Sequence, residues 1–197
     1  MSPSPNQNIA ITQCGESALR NLRLGLWPEK TLPDPVFSSE RAHFRFFSSD
    51  EIFAPEFVGK LKMLLQIEGA ACACITNLDG NTGNGPSEAF FLNRLTTPEE
   101  YLEQLKGDGQ RPGWLHRMDR FGVTSDMGGW LIYCEKANEI AAIGFEVQVG
   151  PGKIDHMSAQ LGGLPVKAAV AKPVSIIFAS KRLPTEWSDI LIRNYPG

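Results

Sequence analysis

Gly128-Gly-Trp-Leu-Ile-Tyr-Cys-Glu-Lys-Ala-Asn-Glu-Ile-Ala-Ala-Ile-Gly-Phe-Glu-Val-Gln-Val149 is the most informative segment of the chain. Two apolar, β-favouring runs, Trp130–Cys134 and Ile140–Val149, flank a polar break, so the segment reads as a β-hairpin. Within the break only Asn138 takes a left-handed conformation cheaply. A two-residue Ala137-Asn138 loop would force Ala137 to positive φ, at a cost of roughly 1 kcal/mol or more. A three-residue loop with Asn138 left-handed avoids this but sets Glu135 opposite Glu139; it is the expected turn. On the second strand Ala141, Ile143, Phe145, Val147 and Val149 share one face, while Ile140, Ala142, Gly144, Glu146 and Gln148 share the other. The first face is expected to be buried throughout and the second to emerge into solvent.

Upstream of the hairpin, Leu19, Leu22 and Leu26 recur at helical spacing over Glu16–Leu26, and Ala42–Phe47 reads as a strand. Phe57, Leu61, Leu64 and Leu65 form the stripe of an amphipathic helix over Pro55–Glu68, which Gly69 ends. Ala70–Leu78 and Glu88–Leu95 are strands around a turn-forming loop, Asp79–Pro86. Thr97-Pro98-Glu99-Glu100 is a capping box with proline at the first helical position, and its helix stops at Gly107. Pro112–Phe121 reads as a short helix and 124–129 as a flexible lead into the hairpin. Downstream, Val166–Ala171 and Val174–Ala179 are strand-like, and a helix capped by Thr185 covers Glu186–Asn194.

Residues 1–8 are polar and Pro-rich and are expected to be disordered. Residues 9–197 are expected to form a single α+β domain, with 150–197 as a basic C-terminal arm. The net charge of the chain is −3, yet from Pro151 onward six Lys/Arg stand against three Asp/Glu, leaving −6 on the preceding part. No basic run of the kind that nucleic acid demands is present, and no apolar run is long enough to span a membrane. The four cysteines, Cys14, Cys72, Cys74 and Cys134, are too sparse for a disulfide-stapled secreted domain and read as reduced thiols. With no signal peptide at the start, a cytoplasmic location is expected.

Several patterns invite a chemical reading. The Asp79–Pro86 loop lacks the Gly-Lys-Ser/Thr of a phosphate loop and the ligand spacing of an EF-hand. Cys72 and Cys74 lie on one face of a strand, as the start of a zinc site would, but no second cysteine pair stands at a usable spacing. No metal and no cofactor is expected. His116 and Asp119 are one helical turn apart, a spacing at which a carboxylate can orient an imidazole for proton transfer; on a surface helix beside Arg117 and Arg120 they also read as a solvated ion network. Glu135 and Glu139 at the hairpin tip, with Asp126 upstream, form the most suggestive acidic group, suited to docking a basic partner or, if face to face, to acid/base work.

The Gly-Trp-Leu-Ile-Tyr-Cys-Glu strand followed by Glu-Ile-Ala-Ala-Ile, over Gly128–Phe145 and preceded by capped helices in a small acidic chain, resembles the layout of bacterial immunity proteins that neutralise secreted toxins. The resemblance implies a non-enzymatic α+β module that blocks a protein partner through an acidic surface.

The expected fold is therefore α+β: an antiparallel sheet built on the central hairpin, with helices packed mainly on one face. The expected function is a cytosolic binding protein that sequesters a protein partner, with Asp126, Glu135, Glu139, His116 and Asp119 as candidate contacts. The alternatives are a small-molecule enzyme using His116 with Asp119 or the Glu135/Glu139 carboxylates, and a structural subunit of a homo-oligomer.

Overall fold

Side chains alternate across a strand, so a hairpin that is apolar at every position must be covered on both sides. Along the central hairpin every residue of Trp130–Glu135 is buried, and so is every residue from Ile140 to Phe145. The computed structural model describes residues 5–38, 41–79, 89–107, 113–114, 118–171 and 184–196. In chain order the elements are α1 (Pro5–Gly25), β1 (Arg41–Ser48), a 3-10 turn (Ser49–Glu51), α2 (Phe57–Glu68), β2 (Cys72–Asn77), β3 (Ala89–Asn93), α3 (Pro98–Lys106), β4 (Arg120–Ser125), β5 (Trp130–Glu135), β6 (Ile140–Glu146), α4 (Pro151–Gln160), α5 (Val166–Ala171) and α6 (Thr185–Asn194). The strands form one six-stranded sheet in the order β1-β6-β5-β4-β2-β3, antiparallel throughout, with the hairpin at its centre. The fold class is α+β, as the sequence indicates.

The two rows of the hairpin enter two different cores. Trp130, Ile132, Cys134, Ala141, Ile143 and Phe145 pack with Leu61 and Leu65 of α2, Tyr101 of α3 and Met157 of α4. Leu131, Tyr133, Ile140 and Ala142 pack with Leu22 of α1, Leu26 just after it, Val166 of α5 and Leu191 of α6. Helices thus lie against both faces rather than mainly one, and the face read as turning to solvent is sealed as far as Gly144. A Cβ at Gly144 would sit 3.1 Å from the Phe37 ring, so glycine there is set by close packing rather than by exposure. No described helix is long and apolar enough to cross a membrane.

Several local readings hold. Thr97 and Glu100 close the capping box, with the Glu100 N–H donating to Thr97 Oγ1 at 3.2 Å and the Thr97 N–H to Glu100 Oε2 at 2.8 Å. Gly69 ends α2 at φ +88°. Others are corrected. The hairpin turn has four residues, because Glu135 pairs with Ile140, and Glu139 rather than Asn138 takes the positive φ, at +56°. The longer turn removes the Glu135/Glu139 like-charge pairing and frees the Asn138 amide to donate to Glu135 Oε2. The left-handed Glu139 costs about 1 kcal/mol, in the range of what that extra hydrogen bond returns.

Arg120 and Phe121 belong to β4, which continues to Ser125, so a strand occupies part of the region read as a helix and a flexible lead. Val166–Ala171 is helical, with Val166 and Ala169 on the buried side three residues apart. α1 starts at Pro5, well before Glu16 and inside the segment expected to be disordered. Thr185 lies within α6, which Pro184 precedes. The strand expected over 174–179 and the Asp79–Pro86 loop beyond Asp79 fall outside the described residues.

Candidate functional site

The acidic residues singled out in the sequence do not form one surface. Glu135 is 3% exposed, and its Oε1 accepts the Leu32 N–H at 2.7 Å and the Tyr133 hydroxyl at 2.6 Å. Its carboxylate therefore ties the Pro-rich 27–38 segment to the sheet instead of facing a partner. Glu139 is half-buried beside it. Asp126 follows the last residue of β4, at the opposite end of the sheet from the hairpin tip, about 20 Å away along a six-residue strand. The Glu135/Glu139/Asp126 group is thus dispersed, and Glu135 offers no solvent-facing carboxylate for acid/base work. His116 lies outside the described residues. Asp119 is exposed, and its backbone N–H donates to Asp79 Oδ2 at 2.7 Å. Burial pushes the Asp79 carboxyl up, but the Arg120 guanidinium, with the Arg120 and Asp119 N–H groups, more than offsets this and holds it below its usual range.

The end of the sheet that carries Asp126 is built very differently. Its β4–β5 turn, Ser125-Asp126-Met127-Gly128-Gly129, is held from four other elements. The Asn21 amide of α1 donates to the Asp126 carbonyl at 2.9 Å, and buried Arg41 of β1 donates to the Gly128 carbonyl at 2.7 Å. The Gly129 N–H donates to Glu68 Oε1, at the end of α2, at 2.7 Å. At the start of β2, Asp126 Oδ1 accepts the Ala71 and Cys72 N–H groups at 3.0 and 3.1 Å. Gly128 takes φ +75°, and a Cβ there would meet the Asn21 amide at 2.8 Å. A turn fixed at so many points nevertheless leaves Met127 63% exposed.

Beside this turn opens a cleft of about 400 Å³. Its walls are Glu68, Met127 and Gly129 on one side, Glu146 at the end of β6 with Gln148–Gly150 beyond it, and Lys153 and Met157 of α4. The size falls within the range of small-ligand or single-side-chain pockets. Val147, next to the wall, is 65% exposed. Burial pushes the Glu68 carboxyl up from its ordinary value; the Ser125, Gly129 and Trp130 groups oppose the shift and the nearby Asp126 charge adds to it. A carboxyl perturbed by burial and lining a cleft is a functional-site signature. Glu146 Oε1 stands 3.9 Å from Arg41 Nη2.

On the other side of the same turn, Cys14 of α1 and Cys72 of β2 form a disulfide with Cα atoms 6.2 Å apart. This corrects the expectation of four reduced thiols, and the cysteines no longer point to a reducing compartment. Cys74 and Cys134 are the free, buried thiols; burial pushes Cys74 up to about 12 despite an opposing effect of Arg23, and Cys134 well up. Cys14 is too distant in sequence for any spacing rule to couple it to Cys72; only the packing of α1 on β2 joins them. No family model, curated protein or solved structure matches the chain.

The raised Glu68 carboxyl has a readable consequence. The native state holds that proton to higher pH than the unfolded chain does. Stability from this group is fullest below the ordinary value of 4.5 and declines as pH rises from there through the native pKa. Glu68→Gln keeps an acceptor for the Gly129 N–H and removes the titration. Its denaturant midpoint is expected to lose that part of the pH slope and to match or exceed wild type at pH 7. A wild-type slope in the variant would show that Glu68 is not the titrating group.

Proposed function

We propose that the protein is a non-enzymatic binding module that sequesters a protein partner through the cleft beside the Ser125–Gly129 turn. The observation that carries this reading is Met127, an exposed apolar side chain at the tip of a turn fixed from α1, α2, β1 and β2, standing over an acid-lined cleft. Presenting a side chain on a rigid support lowers the ordering cost of association. Met127 and Val147 supply apolar rim, and Met is adaptable in what it packs against. Glu146 and the nearby Asp126, with Glu68 adding its charge as pH rises through its raised pKa, outnumber Lys153 and the Arg41 beside Glu146 and favour a cationic group. The partner segment that fits is an apolar side chain next to a lysine or arginine. The likeness of the hairpin to bacterial immunity proteins supports the same class, with a toxin as one form of partner. In this reading Asp126 supports the turn and adds negative charge near the cleft without lining it, while Glu135 has a purely structural place.

The test uses peptides, since their chemistry is what the reading specifies. A random peptide library displayed on phage and selected on the protein is expected to enrich a basic residue beside Leu, Ile, Phe or Met. Met127→Glu and Glu146→Lys should each weaken the selected peptides at least about tenfold, the equivalent of roughly 1.4 kcal/mol. Leu95→Glu, at an 84% exposed site on another part of the surface, should leave them unchanged. Enrichment of acidic sequences, or binding indifferent to Met127 and Glu146, would overturn the assignment.

A further inference from the structure

The Cys14 and Cys72 sulfurs and a carboxylate oxygen of Asp126 lie within 4.8 Å of one another. We propose that the reduced protein binds a thiophilic divalent cation, zinc or a close analogue, through these three residues, so that metal binding and the disulfide are alternative states of one site. The three ligands come from α1, the first residue of β2 and the residue after β4, elements whose relative positions the sheet fixes. Two thiolates and a carboxylate are a donor set for zinc, whose three-ligand sites leave a fourth position to water. In a tetrahedral site with Zn–S bonds of about 2.3 Å the two sulfurs stand about 3.7 Å apart. Cysteines whose Cα atoms are 6.2 Å apart reach that spacing by side-chain rotation alone.

Asp126 is already oriented as a ligating carboxylate is. Its Oδ1 accepts the Ala71 and Cys72 N–H groups and its own N–H donates to the Cys72 carbonyl at 3.0 Å. These bonds leave Oδ2 for the metal. Cys72 is buried while Cys14 and Asp126 are half-buried, so an ion reaches the site past these two residues. Chemically, a reductant such as a small dithiol passes two electrons and two protons to the S–S bond, giving two thiols and the oxidised dithiol. The cation then displaces both thiol protons, giving two metal–thiolate bonds and two protons in solution. Cys74, two residues along β2, is buried and stays outside the cluster.

The experiment is a cobalt titration of the full chain, reduced with a phosphine that does not bind metal and kept free of oxygen. The expected result is a thiolate-to-cobalt charge-transfer band that saturates at one equivalent and is abolished by zinc. The band should be absent from the oxidised protein, lost in Cys14→Ser and in Cys72→Ser, and retained in Cys74→Ser. Asp126→Asn keeps an acceptor for the Ala71 and Cys72 N–H groups and should weaken cobalt binding at least tenfold. Circular dichroism of each variant confirms that it is folded; half-buried Cys14 gives the informative thiol variant if Cys72→Ser is not. No band in the reduced wild type, a band that survives Cys14→Ser, or unchanged affinity in Asp126→Asn would each overturn the proposal.

Discussion

Glu135→Ala is expected to lower the free energy of unfolding by about 2–4 kcal/mol. The Glu135 carboxylate is the partner of two buried donors, the Leu32 N–H and the Tyr133 hydroxyl, and of the Asn138 amide. Removing it leaves the Leu32 N–H without an acceptor in a region closed to water, at about 1–3 kcal/mol, and leaves the Tyr133 hydroxyl only its longer bond to the Lys30 carbonyl at 3.4 Å, at about 1 kcal/mol more. Asn138 is exposed and can turn to solvent, so it adds little. For a chain of this size each kcal/mol moves the midpoint by about 2–4 °C, so thermal denaturation should shift down by roughly 10 °C. Glu135→Gln should fall between the two, because its carbonyl can still accept from Leu32 while its NH₂ opposes the Asn138 amide. Tyr133→Phe combined with Glu135→Leu should cost less than the sum of its parts, since the Tyr133–Glu135 bond is lost in each single change and counted once in the double. A midpoint within 2 °C of wild type for Glu135→Ala would show that the carboxylate is solvated and return it to the list of possible contacts.

Opening the Cys14–Cys72 bond should also cost about 2–4 kcal/mol. The bond spans 58 residues, and releasing a loop of that length restores chain entropy to the unfolded state worth about 4 kcal/mol in the simplest treatment, which measured bonds often fall below. The comparison is urea denaturation of oxidised and reduced protein, both held free of metal. Thiol counting gives the companion measurement. In the native oxidised protein neither Cys74 nor Cys134 should react with a disulfide reagent, since both are buried and burial suppresses their thiolates. Denaturation should expose two thiols, and denaturation after reduction four. Four thiols without reduction would remove the bond, and equal midpoints would remove its contribution.

The hairpin was legible in the sequence because β-branched and aromatic residues run unbroken on both sides of a polar turn, and the capping box was legible because Thr97, Pro98 and Glu100 are each a local signal. What failed depended on neighbours far away in the chain. β4 is hidden in the sequence because Gly122 interrupts its pattern; the glycine is there because Leu22 of α1 and Leu26 just after it lie over it, and a Cβ would stand 2.9 Å from Leu22. Val166–Ala171 has strand-like residues, but Pro165 opens it and Val166 and Ala169 bury one side against β1, which selects a helix. Within the candidate site, Asp126 was read as acidic but assigned to the wrong end of the sheet, since hairpin register, not sequence proximity, decides which end a residue joins. Glu68 and Met127 carried no signal that separates them from an ordinary helix-terminal acid and an ordinary loop methionine. Their meaning comes from the cleft that α2, β6 and α4 close around them.

The seat of α1 has a consequence for how the chain is made. This helix rests on β2 and β4, and its turn contacts and its disulfide partner lie 58 to 105 residues further along. As the nascent chain leaves the ribosome, α1 emerges before both strands it rests on, and Leu22 and Leu26, which lie over Gly122, stay uncovered until the strand ending at Ser125 has followed. Until then its apolar side is an open invitation to chaperones, and a ribosome-bound chain truncated near residue 100 should be captured by them more strongly than one carried past residue 160.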